Sequence, residues 1–176
     1  MRIITGKYKG YNIKGDNIIG TRPTMNRIKE SLLAMVQNKV KDATVLDLFA
    51  GSGSLGLESL SNECKYAYFV DNNLRCIKAI DENISKLGAT NARVIYKDYM
   101  KAIDYFAGSD IKFDIIYLDP PYDEHLISGA IKRIQKNNIL NPNGIIVCEY
   151  DKENIDTNMT LINHKDYGDK SISIYK

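Results

Sequence analysis

The sequence predicts an α/β fold in which one parallel, doubly wound sheet is wrapped by helices. Three observations carry this. Short apolar runs alternate along the chain with longer helical patterns, a glycine-rich turn follows the first run of the main domain, and an acid stands at or just past the end of four successive runs. Strands separated by helix-length segments cannot be joined by tight turns, so they pair in parallel through helical crossovers. In such sheets ligands bind at the carboxyl ends of the strands.

Taken in order, Arg2-Ile3-Ile4-Thr5 and Tyr11-Asn12-Ile13-Lys14 are short β-like runs joined through Gly6-Lys7-Tyr8-Lys9-Gly10. This reads as a hairpin whose glycines permit the tight backbone and whose Lys7, Tyr8 and Lys9 face outward. Thr24 is expected to cap a helix from about Met25 to Gln37, with Ile28, Leu32, Leu33, Met35 and Val36 on its buried side. Strands are expected at about 44–50, 66–70, 92–96, 113–118 and 144–150. Helices are expected at about 55–61, 73–87, 99–106 and 124–136. Met159–His164 and Ser171–Tyr175, joined through Tyr167-Gly168-Asp169, form a terminal hairpin and bring the strands of the sheet to seven.

With 176 residues and 44% hydrophobic content, the chain supports a single compact core. Two units are expected: a basic extension at 1–41 and the main domain at 42–176. The net charge of +2 conceals an asymmetry, because residues 1–41 hold nine Lys/Arg against two Asp/Glu while the remainder holds fifteen against twenty. The first part is therefore about +7 and the rest about −5, which suits a polyanion meeting the extension. Arg2, Lys7, Tyr8, Lys9, Arg22 and Arg27 are the candidate RNA contacts, since cations interleaved with aromatics serve phosphate contact and base stacking.

Some chemistries are excluded. Cys64, Cys76 and Cys148 are odd in number and lack C-x-x-C spacing, so they read as buried thiols of a reducing compartment. His125 and His164 form no metal-spaced pair, and no metal is expected. Neither a signal peptide nor a membrane span is visible, so a soluble cytoplasmic protein is expected.

Gly51-Ser52-Gly53-Ser54-Leu55-Gly56 follows the run Thr44 to Ala50 and matches the G-x-G-x-x-G turn of dinucleotide folds, with Asp71 about 20 residues on. Asp47, four residues before the first glycine, would repel a pyrophosphate there. S-adenosylmethionine carries a sulfonium and an ammonium and no phosphate, so an acid at 47 suits it. Asp71 is placed to accept from both ribose hydroxyls and Asp98 from the adenine amine. Asp47, Phe49, Gly51, Ser52, Gly53, Asp71, Asn72 and Asp98 are therefore the candidate cofactor residues.

Asp119-Pro120-Pro121-Tyr122 closes the run Phe113 to Leu118. Two prolines cannot continue a ladder or a helix, so they set a rigid loop flanked by a carboxylate and an aromatic ring. The Asp119 carboxylate and the Pro120 carbonyl can accept both hydrogens of an exocyclic base amine, aiming its lone pair at an electrophile while Tyr122 stacks on the base. Asp119, Pro120, Pro121 and Tyr122 are the candidate catalytic residues.

The chain resembles the RsmD-type 16S ribosomal RNA guanine-N2 methyltransferases over nearly its whole length. The resemblance lies in Met1 to Gly10, Thr21-Arg22-Pro23-Thr24 with Arg27-Ile28-Lys29-Glu30, Val45 to Gly53, Asp119 to Tyr122, and Tyr167-Gly168. Met25-Asn26 stands where a Ser-Asp pair is more usual. The resemblance implies a class I S-adenosylmethionine-dependent methyltransferase fold with the last strand antiparallel, and guanine N2 of the small-subunit 16S ribosomal RNA as target. An assembled or assembling small subunit is the expected substrate, and the enzyme is expected to act as a monomer. A DNA adenine-N6 methyltransferase could use the same loop, but only about 40 residues lie outside the core for target recognition. A protein-glutamine methyltransferase would resemble Asn-Pro-Pro-Tyr instead. A NAD-dependent oxidoreductase is opposed by Asp47, and a non-catalytic RNA-binding module would have no use for the strand-end motifs.

Overall fold

A computed structural model describes residues 1–15, 23–121, 125–151 and 154–176, with the side chains of the first helix from residue 27 onward. The elements in chain order are α1 (Pro23–Val40), β1 (Thr44–Asp47), α2 (Ser54–Ser61), β2 (Tyr66–Asp71), α3 (Leu74–Leu87) and β3 (Ala92–Tyr96). They continue with α4 (Tyr99–Gly108), β4 (Phe113–Leu118), α5 (Ile127–Lys136), β5 (Leu140–Asp151), β6 (Leu161–Tyr167) and β7 (Lys170–Tyr175). The strands form one seven-stranded sheet in the order β3-β2-β1-β4-β5-β7-β6. The first five run parallel, and β7 is inserted antiparallel to both β5 and β6. The expected architecture and the reversed last strand are both observed.

Helices cover both faces, so the central strands are apolar on both sides rather than alternating with polar residues. Val45, Phe69, Ile115, Tyr117 and Val147 pack with Ile28, Leu57 and Ile80 of α1, α2 and α3. Leu46, Val70, Ile116, Leu118 and Ile146 pack with Ile103, Phe106, Ile131 and Ile134 of α4 and α5. Gly56 permits α2 to lie on β2, because a Cβ there would come within 2.2 Å of the Phe69 ring. The three cysteines are buried and form no disulfide with one another, with burial pushing the Cys64 thiol up to about 12 and Cys76 to about 11.

Several boundaries differ from expectation for local reasons. The first strand stops at Asp47, and residues 48–50 turn into the glycine loop, held by Leu48 N–H donating to Tyr117 O and Ala50 N–H to Val70 O. Helix α1 starts at Pro23, so Thr24 lies inside its first turn rather than capping it, and proline suits that turn because its missing N–H has no partner there anyway. Helix α5 begins at Ile127, after His125 takes a left-handed φ of 48°, and the expected start at residue 124 lies outside the described residues. Strand β5 starts early, at Leu140: Asn141-Pro142-Asn143-Gly144 looks like a turn but joins the strand across a register irregularity, with Asn141 Nδ2 donating to Asp114 Oδ1 at 2.8 Å.

The amino-terminal turn is a hairpin with one antiparallel bridge, Arg2 to Asn12, rather than two developed strands. Its stability comes from α2. Glu58, wholly buried, accepts from Ile4 N–H at 2.8 Å, Thr5 N–H at 3.2 Å and the Thr5 hydroxyl at 2.9 Å, and pairs with Lys29 Nζ at 3.0 Å. Lys29 also donates to Arg2 O at 3.0 Å. Ser61 extends the clamp, its hydroxyl donating to Thr5 O and accepting from Tyr8 N–H. Gly6, at a left-handed φ of 72°, fits only because it has no side chain, since a Cβ would lie 2.1 Å from Ser61 O. Ile3, Ile13, Ile28, Leu32, Val36 and Val40 belong to the same buried cluster as the sheet.

Candidate active site

The parallel register brings the predicted acids to one end of the sheet. After β1, Gly51 (φ 54°) and Gly53 (φ 78°) both adopt left-handed conformations, which carry the chain in a tight loop to the head of α2. Asp71, ending β2, fastens this loop: Oδ2 accepts from Gly51 N–H at 2.8 Å and Oδ1 from Asn73 N–H at 2.7 Å. A carboxylate has about four acceptor positions, so these bonds leave capacity for hydroxyls. Asp98 caps α4 through Met100 N–H at 2.9 Å. Phe49 sits beside Tyr99 with ring centroids 5.1 Å apart, bringing the β1 loop against the head of α4. Ser52 is buried and Asn72 exposed.

Asp47 is buried beneath the loop and accepts from Gly56 N–H at 3.0 Å, closing the first turn of α2. Burial pushes its carboxyl up to about 7; the Gly56 N–H opposes this and the nearby Asp71 adds to it. The hydroxyl of Ser54, also at the head of α2, is buried without a hydrogen-bond partner among the described residues. A loop of glycines, a hydroxyl without a partner among the described residues and a carboxyl that burial raises to about 7 together suit a polar ligand carrying positive charge.

Strand parity places further groups beside Asp47. Side chains two apart share a face, so Asp47 shares its face with Val45, and Asp119, just past β4, shares that of Ile115 and Tyr117. Both belong to the α1–α3 side. Glu149 and Asp151 of β5 and Lys170 of β7 lie on that side too, following Val147 and Ile172. Burial first, and the Glu149 carboxylate second, push Asp119 well above the usual carboxylate range, with Lys170 opposing. Pro120 is buried and Pro121 exposed. Tyr122 and Arg22 lie outside the described residues.

Glu149, Asp151, Lys170 and Ser54 were absent from the sequence reading. Glu149 and Lys170 become visible only once β7 is known to pair with β5, because the hairpin order places β6 between them in sequence. Of the RNA candidates, Arg2, Lys7, Lys9 and Arg27 are exposed and Tyr8 is half-buried. Lys7 Nζ lies 4.8 Å from the Tyr8 ring centroid, and Tyr8 meets Tyr11 edge-on at 6.3 Å. No cluster of metal-ligating side chains occurs among the described residues, nor any helix long and apolar enough to cross a membrane.

A family model described as "Conserved hypothetical protein 95" matches residues 1–176. The chain belongs to this family, that of the RsmD methyltransferases. It is 33% identical over 184 residues to "Ribosomal RNA small subunit methyltransferase D" of Haemophilus influenzae, covering all of this chain and 93% of that protein. The Bacillus subtilis protein YlbH is 33% identical over 181 residues, covering 100% of this chain and 98% of that one. Among solved structures, Escherichia coli yhhF superposes with a TM-score of 0.88 at 29% identity, covering 99% of this chain and 96% of that one. Family and fold together make the chain a methyltransferase of the class I type.

Proposed function

We propose that the chain methylates the exocyclic N2 amine of a guanine in 16S ribosomal RNA, using S-adenosylmethionine, and that it works in the cytoplasm as a monomer on an assembled or assembling small subunit. The observation carrying this is that Asp119 and Asp47 share one face at one end of the sheet, the first on a proline-rigid loop and the second beneath the glycine loop. S-adenosylmethionine supplies a methyl carbon on a sulfonium, so the new N–C bond forms as the S–C bond breaks and a neutral thioether leaves. Asp71 would accept the ribose hydroxyls of the cofactor, and Asp98, Phe49 and Asn72 would hold its adenine. Gly51, Ser52 and Gly53 allow close approach, and Ser54 and Asp47 face the amino-acid and sulfonium end. Asp119 and the Pro120 carbonyl hold the two amine hydrogens, Pro121 keeps the loop rigid, and Tyr122 stacks on the base. The proton displaced from nitrogen passes to Asp119 or to water. Arg2, Lys7, Tyr8, Lys9, Arg22 and Arg27 hold the RNA.

The deciding experiment presents radiolabelled S-adenosylmethionine to undermethylated small ribosomal subunits, to the RNA extracted from them, and to duplex DNA, followed by nucleoside analysis. N2-methylguanosine in the RNA is the expected product. N6-methyladenine in DNA would overturn the substrate while preserving the loop chemistry.

Asp47 supplies a separate test. Its pKa is raised on folding, so its favourable contribution is fully present below about pH 4 and is lost as pH rises through about 7. Asp47→Asn removes the buried charge, and urea unfolding at pH 8.5 is expected to show the ligand-free variant more stable than the parent by about 1–3 kcal/mol, an advantage that shrinks as pH falls and vanishes below about pH 4. Calorimetric affinity for S-adenosylmethionine is expected to fall about tenfold in the variant. In the parent it should strengthen from pH 5.5 to 7.5, because a cation favours the ionised carboxylate.

A further inference from the structure

Asp119 stands next to an ion pair that the chemistry above does not use. Leu118 and Cys148 are register partners in the parallel β4–β5 pair, so Asp119 and Glu149 follow them side by side on one face. Across the antiparallel β5–β7 pair, Glu149 opposes Ile172 and Asp151 opposes Lys170. Lys170 Nζ reaches diagonally to Glu149 Oε1 at 2.9 Å and lies 4.0 Å from Asp151 Oδ1, with both Lys170 and Glu149 largely buried. The order across the sheet is thus Asp47, Asp119, Glu149, Lys170, one residue from each of β1, β5 and β7 with Asp119 at the end of β4.

Two carboxylates side by side in partly buried surroundings do not both ionise near neutrality unless a cation compensates one of them. We propose that Glu149 and Lys170 are a positioning pair for Asp119, in which Lys170 neutralises Glu149 and so allows the Asp119 carboxyl to ionise, accept one hydrogen of the substrate amine and take the single proton released on transfer. This rests on the reading of Asp119 given above. Among the described residues, the charged groups facing Asp119 are Asp47 on β1, Glu149 and Asp151 on β5, and Lys170 on β7; burial and the three acids raise its pKa and Lys170 lowers it. A salt bridge remote from Asp119, or one whose charge does not bear on turnover, would leave the titration of Asp119 or the acidic limb of kcat indifferent to which partner is removed. A positioning pair makes the two removals act in opposite directions.

The test follows the carbon-13 carboxyl resonance of Asp119 against pH in the full chain and in Lys170→Met, Glu149→Gln and the double variant, alongside the pH profile of kcat on undermethylated small subunits. Lys170→Met is expected to move the Asp119 midpoint and the acidic limb of kcat upward by about one pH unit. Glu149→Gln should move both downward, and the double variant should return near the parent. Midpoints that stay put, or that move the same way in both single variants, overturn the proposal. If Lys170→Met does not fold, the isosteric Glu149→Gln decides alone: a downward shift supports the pair, and no shift or an upward one overturns it. Asp119→Ala separates the two readings. Turnover surviving in that variant defeats the role of Asp119 itself, whereas turnover lost with unmoved midpoints in the other variants defeats only the pair.

Discussion

Asp119→Ala is expected to lower methyl transfer by at least about a thousandfold while changing the affinity for S-adenosylmethionine by less than about threefold. The asymmetry follows from position. Asp119 sits beyond the end of β4 on the proline loop, while the groups assigned to the cofactor's ribose and adenine belong to β2, to the turn before α4 and to the glycine loop. Truncation removes the acceptor for the amine but leaves the cofactor's partners in place. Single-turnover transfer and isothermal calorimetry on the same preparation separate the two effects. Because the folded protein holds Asp119 above the usual carboxylate range chiefly through burial, its removal relieves a cost at neutral pH. Thermal unfolding at pH 8 should therefore find the variant no less stable than the parent, and lost turnover could not be put down to misfolding. Asp119→Asn keeps one acceptor oxygen and should retain more activity than Ala. Wild-type turnover in the Ala variant would remove Asp119 from the chemistry.

The largest effect on stability is expected at Glu58. Glu58→Ala strips partners from the Ile4 and Thr5 amides, the Thr5 hydroxyl and the Lys29 ammonium, leaving a buried cation and two buried N–H groups. Breaking one side of a buried, hydrogen-bonded ion pair costs about 3–5 kcal/mol, which in a chain of this size lowers Tm by roughly 10 °C. Urea unfolding measures the loss, and amide exchange at Ile4 and Thr5 should report the amino-terminal turn opening ahead of the sheet. Pairing Glu58→Gln with Lys29→Met removes both charges while keeping an acceptor for the amides, and is expected to recover more than half of the deficit. A loss below about 1 kcal/mol in Glu58→Ala would show that the clamp contributes little to holding the turn.

What the sequence displays and what it hides divide along the range of the interactions. The central strands are recognisable because both faces are buried, so apolar runs such as Phe113 to Leu118 stand out without reference to anything distant. The strand-end acids are recognisable for a related reason: a charge that interrupts apolar character must lie at a terminus. Caps are less legible: Asn73, expected as the first residue of its helix, instead caps α3 by accepting from Arg75 N–H, and Thr24, expected as a cap, lies inside α1. The Lys29–Glu58 pair joins residues 29 apart in sequence on two different helices, and no periodicity links them. A signal did exist, since Glu58 is the lone charge in Ser54-Leu55-Gly56-Leu57-Glu58-Ser59-Leu60-Ser61, a helix buried at nearly every position. A charge in such a helix requires a partner. The Asn-Pro-Asn-Gly tetrapeptide misled because its composition is that of a turn, whereas pairing of Leu140 with Phe113 and the Asp114–Asn141 bond draw it into β5.

The insertion of β7 between β5 and β6 sets an order of events during synthesis. Lys170 leaves the ribosome after the other six strands have emerged, yet it supplies the cation beside Glu149 in the interior of the sheet. Until it emerges, β5 presents an unpaired edge and an uncompensated acid next to Asp119, and β6 has no strand to bind. The amino-terminal half can assemble from β1 to β4 as it appears, but the sheet beyond β5 can close only once β7 is present to pair with both β5 and β6. A nascent chain therefore completes the row around Asp119 only after β7 has emerged, and stalled or clipped chains missing β7 would carry the glycine loop intact while lacking the charge balance around Asp119.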